Sequence, residues 1–160
     1  MSAPRLQDLI DEKILLNRQV FLWGMVDDQS AKHVIDRMLY LELREPGKEI
    51  QLIINSPGGY VTSGFAIYDT MKGITSPVST VCSGQASSMA SILLSAGTKG
   101  RRFVQPHSKV MIHQPSGGAG GNASDIEIQA LELQKTKELG AKILAENCLQ
   151  PYEKILRDFN

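Results

Sequence analysis

Ile50-Gln51-Leu52-Ile53-Ile54-Asn55-Ser56-Pro57-Gly58-Gly59 is the stretch from which the fold can be read. Ile50 to Ile54 is a short apolar run of strand length, and Asn-Ser-Pro-Gly-Gly breaks it with residues that favour turns. Beyond the break Val61, Phe65, Tyr68 and Met71 recur at helical spacing, so the unit is strand, glycine turn, helix. The pattern repeats downstream. Val78 to Cys82 reads as a strand, Gly84-Gln85-Ala86 as a turn, and Ser87 to Ala96 as a small-residue helix stopped by Gly97. Two crossover units in series predict an α/β domain with a largely parallel sheet covered by helices. Ligands of such sheets gather beyond the strand ends, where both glycine turns fall.

Outward from this centre, Leu6, Leu9 and Ile10 set a helix within Arg5 to Arg18, and Gln19 to Trp23 reads as a strand. Asp27, Asp28 and Ser30 offer caps to a second helix carrying Val34, Met38 and Leu41, which Pro46-Gly47 ends. On the other side Val110-Met111-Ile112-His113 reads as a short strand, followed by a glycine-rich stretch, Ser116 to Asn122, expected to be mobile. Ser124-Asp125-Ile126-Glu127 matches a capping box and opens a helix to about Asn147, roughly 35 Å long at 1.5 Å per residue. Ile128, Leu131, Leu139 and Ile143 give it an apolar flank that seeks a second surface, which points to an oligomer. Pro151 fits the first position of a last helix, Tyr152 to Asp158.

A chain of 160 residues, 42% hydrophobic, suits one globular domain spanning 1–160. Lys plus Arg and Asp plus Glu balance at 17 each, so no net field draws the protein to nucleic acid or an anionic membrane. The acids near the N-terminus occupy the place of a signal peptide's apolar core, and no run is long and apolar enough to span a bilayer. A cytoplasmic location is expected. Cys82 and Cys148 have neither metal-ligand spacing nor a disulfide framework and are read as free thiols.

Serine attacks a carbonyl only when a base takes its proton, and a strand-to-helix turn lifts its side chain clear while helix-start amides face a developing oxyanion. Ser87 and Ser88 both occupy such a turn; taken alone, the segment reads first as a Ser87 helix cap and a Ser88 on the helix surface. Of the histidines, His33 lies on an exposed helix face and His107 in a turn after Pro106, whereas His113 ends a strand before a proline and a glycine loop. That context suits a general base. The Gly58-Gly59 turn is either only a turn or a source of unobstructed amide donors.

Together these segments resemble the ClpP family, collinearly from about Leu15 to Asp158. Four blocks carry the resemblance: Ile54-Asn55-Ser56-Pro57-Gly58-Gly59, Ala66-Ile67-Tyr68-Asp69-Thr70-Met71, Gly84-Gln85-Ala86-Ser87-Ser88-Met89-Ala90 and Met111-Ile112-His113-Gln114-Pro115. The family frame Gly-x-Ala-x-Ser makes Ser88 the nucleophile. It places the general base at His113 and the oxyanion-hole amides at Gly59 and Met89. It implies a ClpP/crotonase-like fold of repeated strand-turn-helix units. In that fold the loop and long helix of 116–147 serve ring-ring contact between stacked heptamers, and 1–18 forms an axial segment. It also implies a serine endopeptidase, without a cofactor or metal of its own, that degrades unfolded polypeptides delivered by an AAA+ ATPase. No nucleotide-binding loop occurs in this sequence, so ATP use would belong to that partner.

The sequence departs from the family frame in three places. Ala90 stands where many members have Gly, the N-terminal segment is short, and the family's catalytic Asp and closing segment fall beyond Asn160. The last departure is read first as a sequence truncated relative to the natural protein; the alternatives are Asp158 as an imperfect substitute, or a subunit that works as a Ser-His dyad or not at all. Two other classes compete. One is a non-catalytic scaffold subunit of a mixed ring, favoured by the missing Asp. The other is a crotonase-type acyl-CoA enzyme, whose oxyanion amides would need no nucleophile.

Overall fold

The computed structural model describes residues 4–159; Met1 to Ala3, at the start of the expected axial segment, and Asn160, at the end of the expected domain, lie outside the described residues. The chain divides into two compact units, with the break between Val110 and Met111.

The first unit opens with helix α1 (Leu6–Leu16), alternates β1 (Gln19–Trp23), α2 (Asp28–Arg44), β2 (Ile50–Ser56), α3 (Val61–Gly73), β3 (Val78–Ser87), α4 (Met89–Ser95) and β4 (Arg102–Val104), and ends within β5 (Lys109–Met111). The sheet runs β1-β2-β3-β4 with each of these pairs parallel, and β5 also pairs with β3. Val20 lies beside Leu52 and Leu22 beside Ile54, so matching side chains stack on one face. In β2 the alternation is complete: Ile50, Leu52, Ile54 and Ser56 are buried and the residues between them half-buried. The core joins these to Val34, Met38 and Leu41 of α2, Ile67 and Met71 of α3, and Leu93 of α4. Helices of the crossovers thus cover the sheet as the sequence predicts.

Local signals set the helix ends. Asp27 caps α2, its Oδ1 accepting the Ser30 amide at 2.8 Å while Ser30 Oγ accepts the Asp27 amide at 2.9 Å. At the other end the buried guanidinium of Arg18 donates to the carbonyls of Leu41 (3.0 Å), Lys48 (2.8 Å) and Glu49 (2.9 Å). A cation belongs there, because the last helical carbonyls lack partners and carry the negative end of the dipole. Glu42 ties α2 to the loop before β3, accepting from the amides of Thr75 and Ser76 and from the Thr75 hydroxyl.

Several boundaries differ from the sequence reading. β3 continues through Gly84-Gln85-Ala86, where a turn is expected, because Ala86 still pairs with Ser56 after a register shift. Helix α4 starts at Met89 rather than Ser87, and β5 ends at Met111, so His113 lies past the strand. Strand β4 carries no strong sequence signal; its residues are mostly exposed and it is held through β3.

The second unit contains α5 (Ala123–Cys148) and α6 (Tyr152–Asp158). The cap of α5 is Asn122 paired with Asp125, not the expected Ser124 and Glu127: Asn122 Oδ1 accepts the Asp125 amide at 3.0 Å and Asp125 Oδ2 the Asn122 amide at 3.2 Å. Pro151 is the N-cap of α6 rather than its first helical residue. The late part of α5 buries Gly140, Ala141, Ile143 and Leu144. Ile143 therefore leaves the apolar flank assigned to it, while Ile128, Leu131 and Leu139 stay exposed. All residues from 116 to 132 are exposed.

Candidate active site

Ser88 is the hinge residue between β3 and α4, with φ 55° and ψ −127°. Among the described residues, the other two non-glycine residues of positive φ, Arg18 and Leu149, differ in kind: Leu149 is an ordinary left-handed helix cap and Arg18 is buried over the α2 C-terminus. A ψ of −127° leaves the left-handed helical well, and an L-residue held there stores on the order of 1–3 kcal/mol. That conformation turns the chain abruptly from strand to helix and leaves the half-buried hydroxyl free of capping duty. The backbone carbonyl of Ser88 is pinned instead, accepting Ser91 N at 2.9 Å and Ser91 Oγ at 2.6 Å. Ser87 ends the strand buried, its hydroxyl near Gln85 Oε1 at 3.3 Å. The two serines, equivalent in sequence, are thereby distinguished.

The Gly58-Gly59 turn packs directly against this elbow. A Cβ added at Gly58 would sit 2.7 Å from the Ser87 carbonyl oxygen and from Ser88 Cβ, and 3.0 Å from Met89 N. A Cβ added at Gly59 would run into the backbone of Val26. Val26 forms an isolated parallel bridge with Gly59, in which Val26 N donates to Gly58 O (2.9 Å) and Tyr60 N to Val26 O (2.7 Å). The flanking residues make both bonds, as a parallel ladder requires, so the N–H of Gly59 itself points away from Val26. Met89 is the first helical residue of α4, and its N–H has no intrahelical acceptor. A hydroxyl and two uncommitted amides in one corner are the parts needed to attack a carbonyl and hold the oxyanion.

Ser88, Met89 and Gly59 belong to the first unit and His113 to the second. His113 is exposed in an extended segment, and its neighbour is fixed: Gln114 N donates to Phe159 O at 3.1 Å, and Lys137 Nζ to Gln114 Oε1 at 2.9 Å. The carboxylate of Asp158 is taken up by Lys154 one turn earlier. His33 accepts a hydrogen bond at Nδ1 from the Arg37 guanidinium at 2.8 Å; burial, then the Arg37 cation, pulls it below its ordinary pKa. His107 is exposed in the turn between β4 and β5.

Sequence reading overlooked Val26, Asn55 and Ser56. The hydroxyl of Ser56, fully buried, accepts the Gly58 amide at 3.1 Å and so shapes the turn. The motif Asn-Ser-Pro-Gly-Gly contains the signal, since a buried serine two residues before a glycine amide is a turn-forming acceptor. Val26 has no signal, because its contribution is backbone alone. Among the described residues no group of His, Cys, Asp or Glu is placed to hold a metal ion, and no helix is long and apolar enough to cross a membrane. Cys82 is buried, which raises its thiol pKa. Compared with known proteins, the family described as Clp protease matches residues 3–160.

Proposed function

The chain belongs to the Clp protease family, and we propose that it is a serine endopeptidase acting through Ser88. Ser88 Oγ attacks the peptide carbonyl as His113 removes its proton. The amides of Gly59 and Met89 stabilise the oxyanion, and His113 returns the proton to the leaving amine. Water, activated by the same histidine, then hydrolyses the acyl-enzyme and regenerates Ser88. The observation that carries this reading is the strained elbow at Ser88 set against two unpaired amides. The ties of Gln114 to Phe159 and Lys137 hold the main chain beside His113 in place.

The two units act together as one peptidase domain in the cytoplasm, on unfolded polypeptides passed to it by an AAA+ ATPase. Stacked heptameric rings would cover the exposed side chains of Ile128, Leu131 and Leu139 on α5. The test is intact mass after treatment with a fluorophosphonate probe. One adduct on the wild-type protein, absent from Ser88→Ala, is expected; an unlabelled wild-type protein would move the scaffold role ahead.

A further inference from the structure

The register between β2 and β3 jumps at one place. Ile54 lies beside Cys82, but Ser56 lies beside Ala86, so Asn55 alone faces Ser83, Gly84 and Gln85. A bulge of this size strips the ladder of backbone partners. The Asn55 side chain replaces one of them: its Oδ1 accepts the Gln85 amide at 3.2 Å, while its main-chain carbonyl accepts Gly24 N at 2.9 Å on the β1 side. Gly84 makes room for this reach. Its φ is +97°, and a Cβ there would stand 2.7 Å from Asn55 Oδ1. The outer side of the bulge is tied by Ser108 Oγ to Gly84 N at 2.7 Å.

The bulge lies between the sheet and the elbow. Ala86, which resumes pairing, is two residues before Ser88, and its partner Ser56 is the residue whose hydroxyl fixes the Gly58 amide. Whatever sets the length of chain taken up between Cys82 and Ala86 therefore also sets where Ser88 and Met89 stand relative to Gly59. We infer that Asn55 is a positioning residue for the reaction at Ser88: as a side-chain acceptor inside the β3 bulge, it holds the nucleophile elbow in register with the turn that supplies the second oxyanion amide. This inference rests on the peptidase reading above.

Replacement by leucine keeps the volume and removes the acceptor, leaving the Gln85 amide without a partner in a half-buried place. A displacement of about 1 Å at the reacting atoms costs on the order of 10²-fold in rate. Aspartate keeps the accepting oxygen. The experiment measures kcat and KM on a fluorogenic peptide, together with fluorophosphonate acylation rates, for wild type, Asn55→Leu, Asn55→Ala, Asn55→Asp and Ser88→Ala, well below each melting temperature. Asn55→Leu is expected to lower kcat and the acylation rate about 10²-fold with little change in KM, and Asn55→Asp to recover most of the loss. If the leucine variant does not fold, the alanine and aspartate variants make the same contrast. Equal kcat in the alanine, aspartate and wild-type proteins overturns the inference, as does an aspartate variant no better than alanine. A wild-type protein that acylates no faster than Ser88→Ala overturns the peptidase reading itself, and the inference with it.

Discussion

The chain has two glycine-rich segments, and they use glycine for opposite reasons. In Gly58-Gly59 there is no room: each added Cβ would meet the backbone of another segment, Ser87 to Met89 or Val26. In Ser116 to Gly120 there is space to spare: a Cβ at Gly118 or Gly120 would touch nothing within 4 Å, and one at Gly117 would only brush Leu133 Cδ1 at 3.6 Å; Gly121, next to the α5 cap, is the exception, with φ +117° and an added Cβ 2.7 Å from Asp125 Oδ2. Before the Asn122 cap, the second loop is held to its own helix by Gln129, which bonds both the N–H and the C=O of Gly120. Glycine in a sequence thus marks either contact or its absence, and only the surroundings tell which.

Substitutions can break this contrast. The largest effect is expected at the elbow. Ser88→Gly should remove acylation, with a loss on the order of 10³-fold or more in peptide hydrolysis. The same change should raise stability by about 1 kcal/mol, because glycine adopts φ 55°, ψ −127° without strain. Probe labelling and chemical denaturation check the two halves, and a destabilised Ser88→Gly protein would mean that the elbow is not strained. Next comes Gly59→Ala, where overpacking against Val26 should cost about 1–3 kcal/mol and the displaced amide roughly 10²-fold in acylation rate. A Gly59→Ala protein as stable and as reactive as wild type would dissolve the contrast.

Gly118→Ala should do the reverse. Its backbone is not in the left-handed region and its Cβ position is open, so stability should rise by about 0.4–1 kcal/mol through the unfolded chain alone. The smallest effect concerns charge. Ser76 and then Thr75, whose amides and the Thr75 hydroxyl donate to it, hold the Glu42 carboxyl down to about 2 from an ordinary 4.5. A folded-state pKa below the unfolded one stabilises the protein above pH 4.5, and that contribution fades as pH falls towards 2. Thermal melts of wild type and Glu42→Gln should therefore differ at neutral pH and converge on acidification; a gap that stays constant would show that the clasp works through shape alone.

The same contrast explains what could be read in advance. Strands β1 and β2 and helix α2 announced themselves, because their apolar periods match the faces they bury, and Asp27 and Pro151 mark the starts of α2 and α6; α3 was found although its buried face is Ser63, Gly64, Ile67 and Met71 and the Val61, Phe65 and Tyr68 that signalled it are half-buried. The β3 bulge did not, since Gly84-Gln85-Ala86 reads as a turn unless one knows that Asn55 supplies an acceptor from the neighbouring strand. Ser88 was singled out from Ser87 by family resemblance, whereas its physical distinction, a strained ψ, is invisible in residue types. The α5 start was misplaced by two residues because Asn122 and Ser124 are both good caps, and the side chain of Asp125 decided between them. Val26 was illegible altogether: any residue with a main-chain N–H and C=O makes the same bridge.

That bridge also bears on when the corner comes into being as the chain is made. Val26, Gly58-Gly59 and Ser87 to Met89 are contributed by segments far apart in sequence, and α3 and most of the sheet lie between them. Synthesis delivers the glycine turn before the serine, and nothing aligns either until β1, β2 and β3 have paired in parallel, the slow, non-local kind of pairing. A partly made chain thus lacks the assembled corner of Ser88, Met89 and Gly59. On the peptidase reading, an unfinished chain cannot cleave the polypeptides around it.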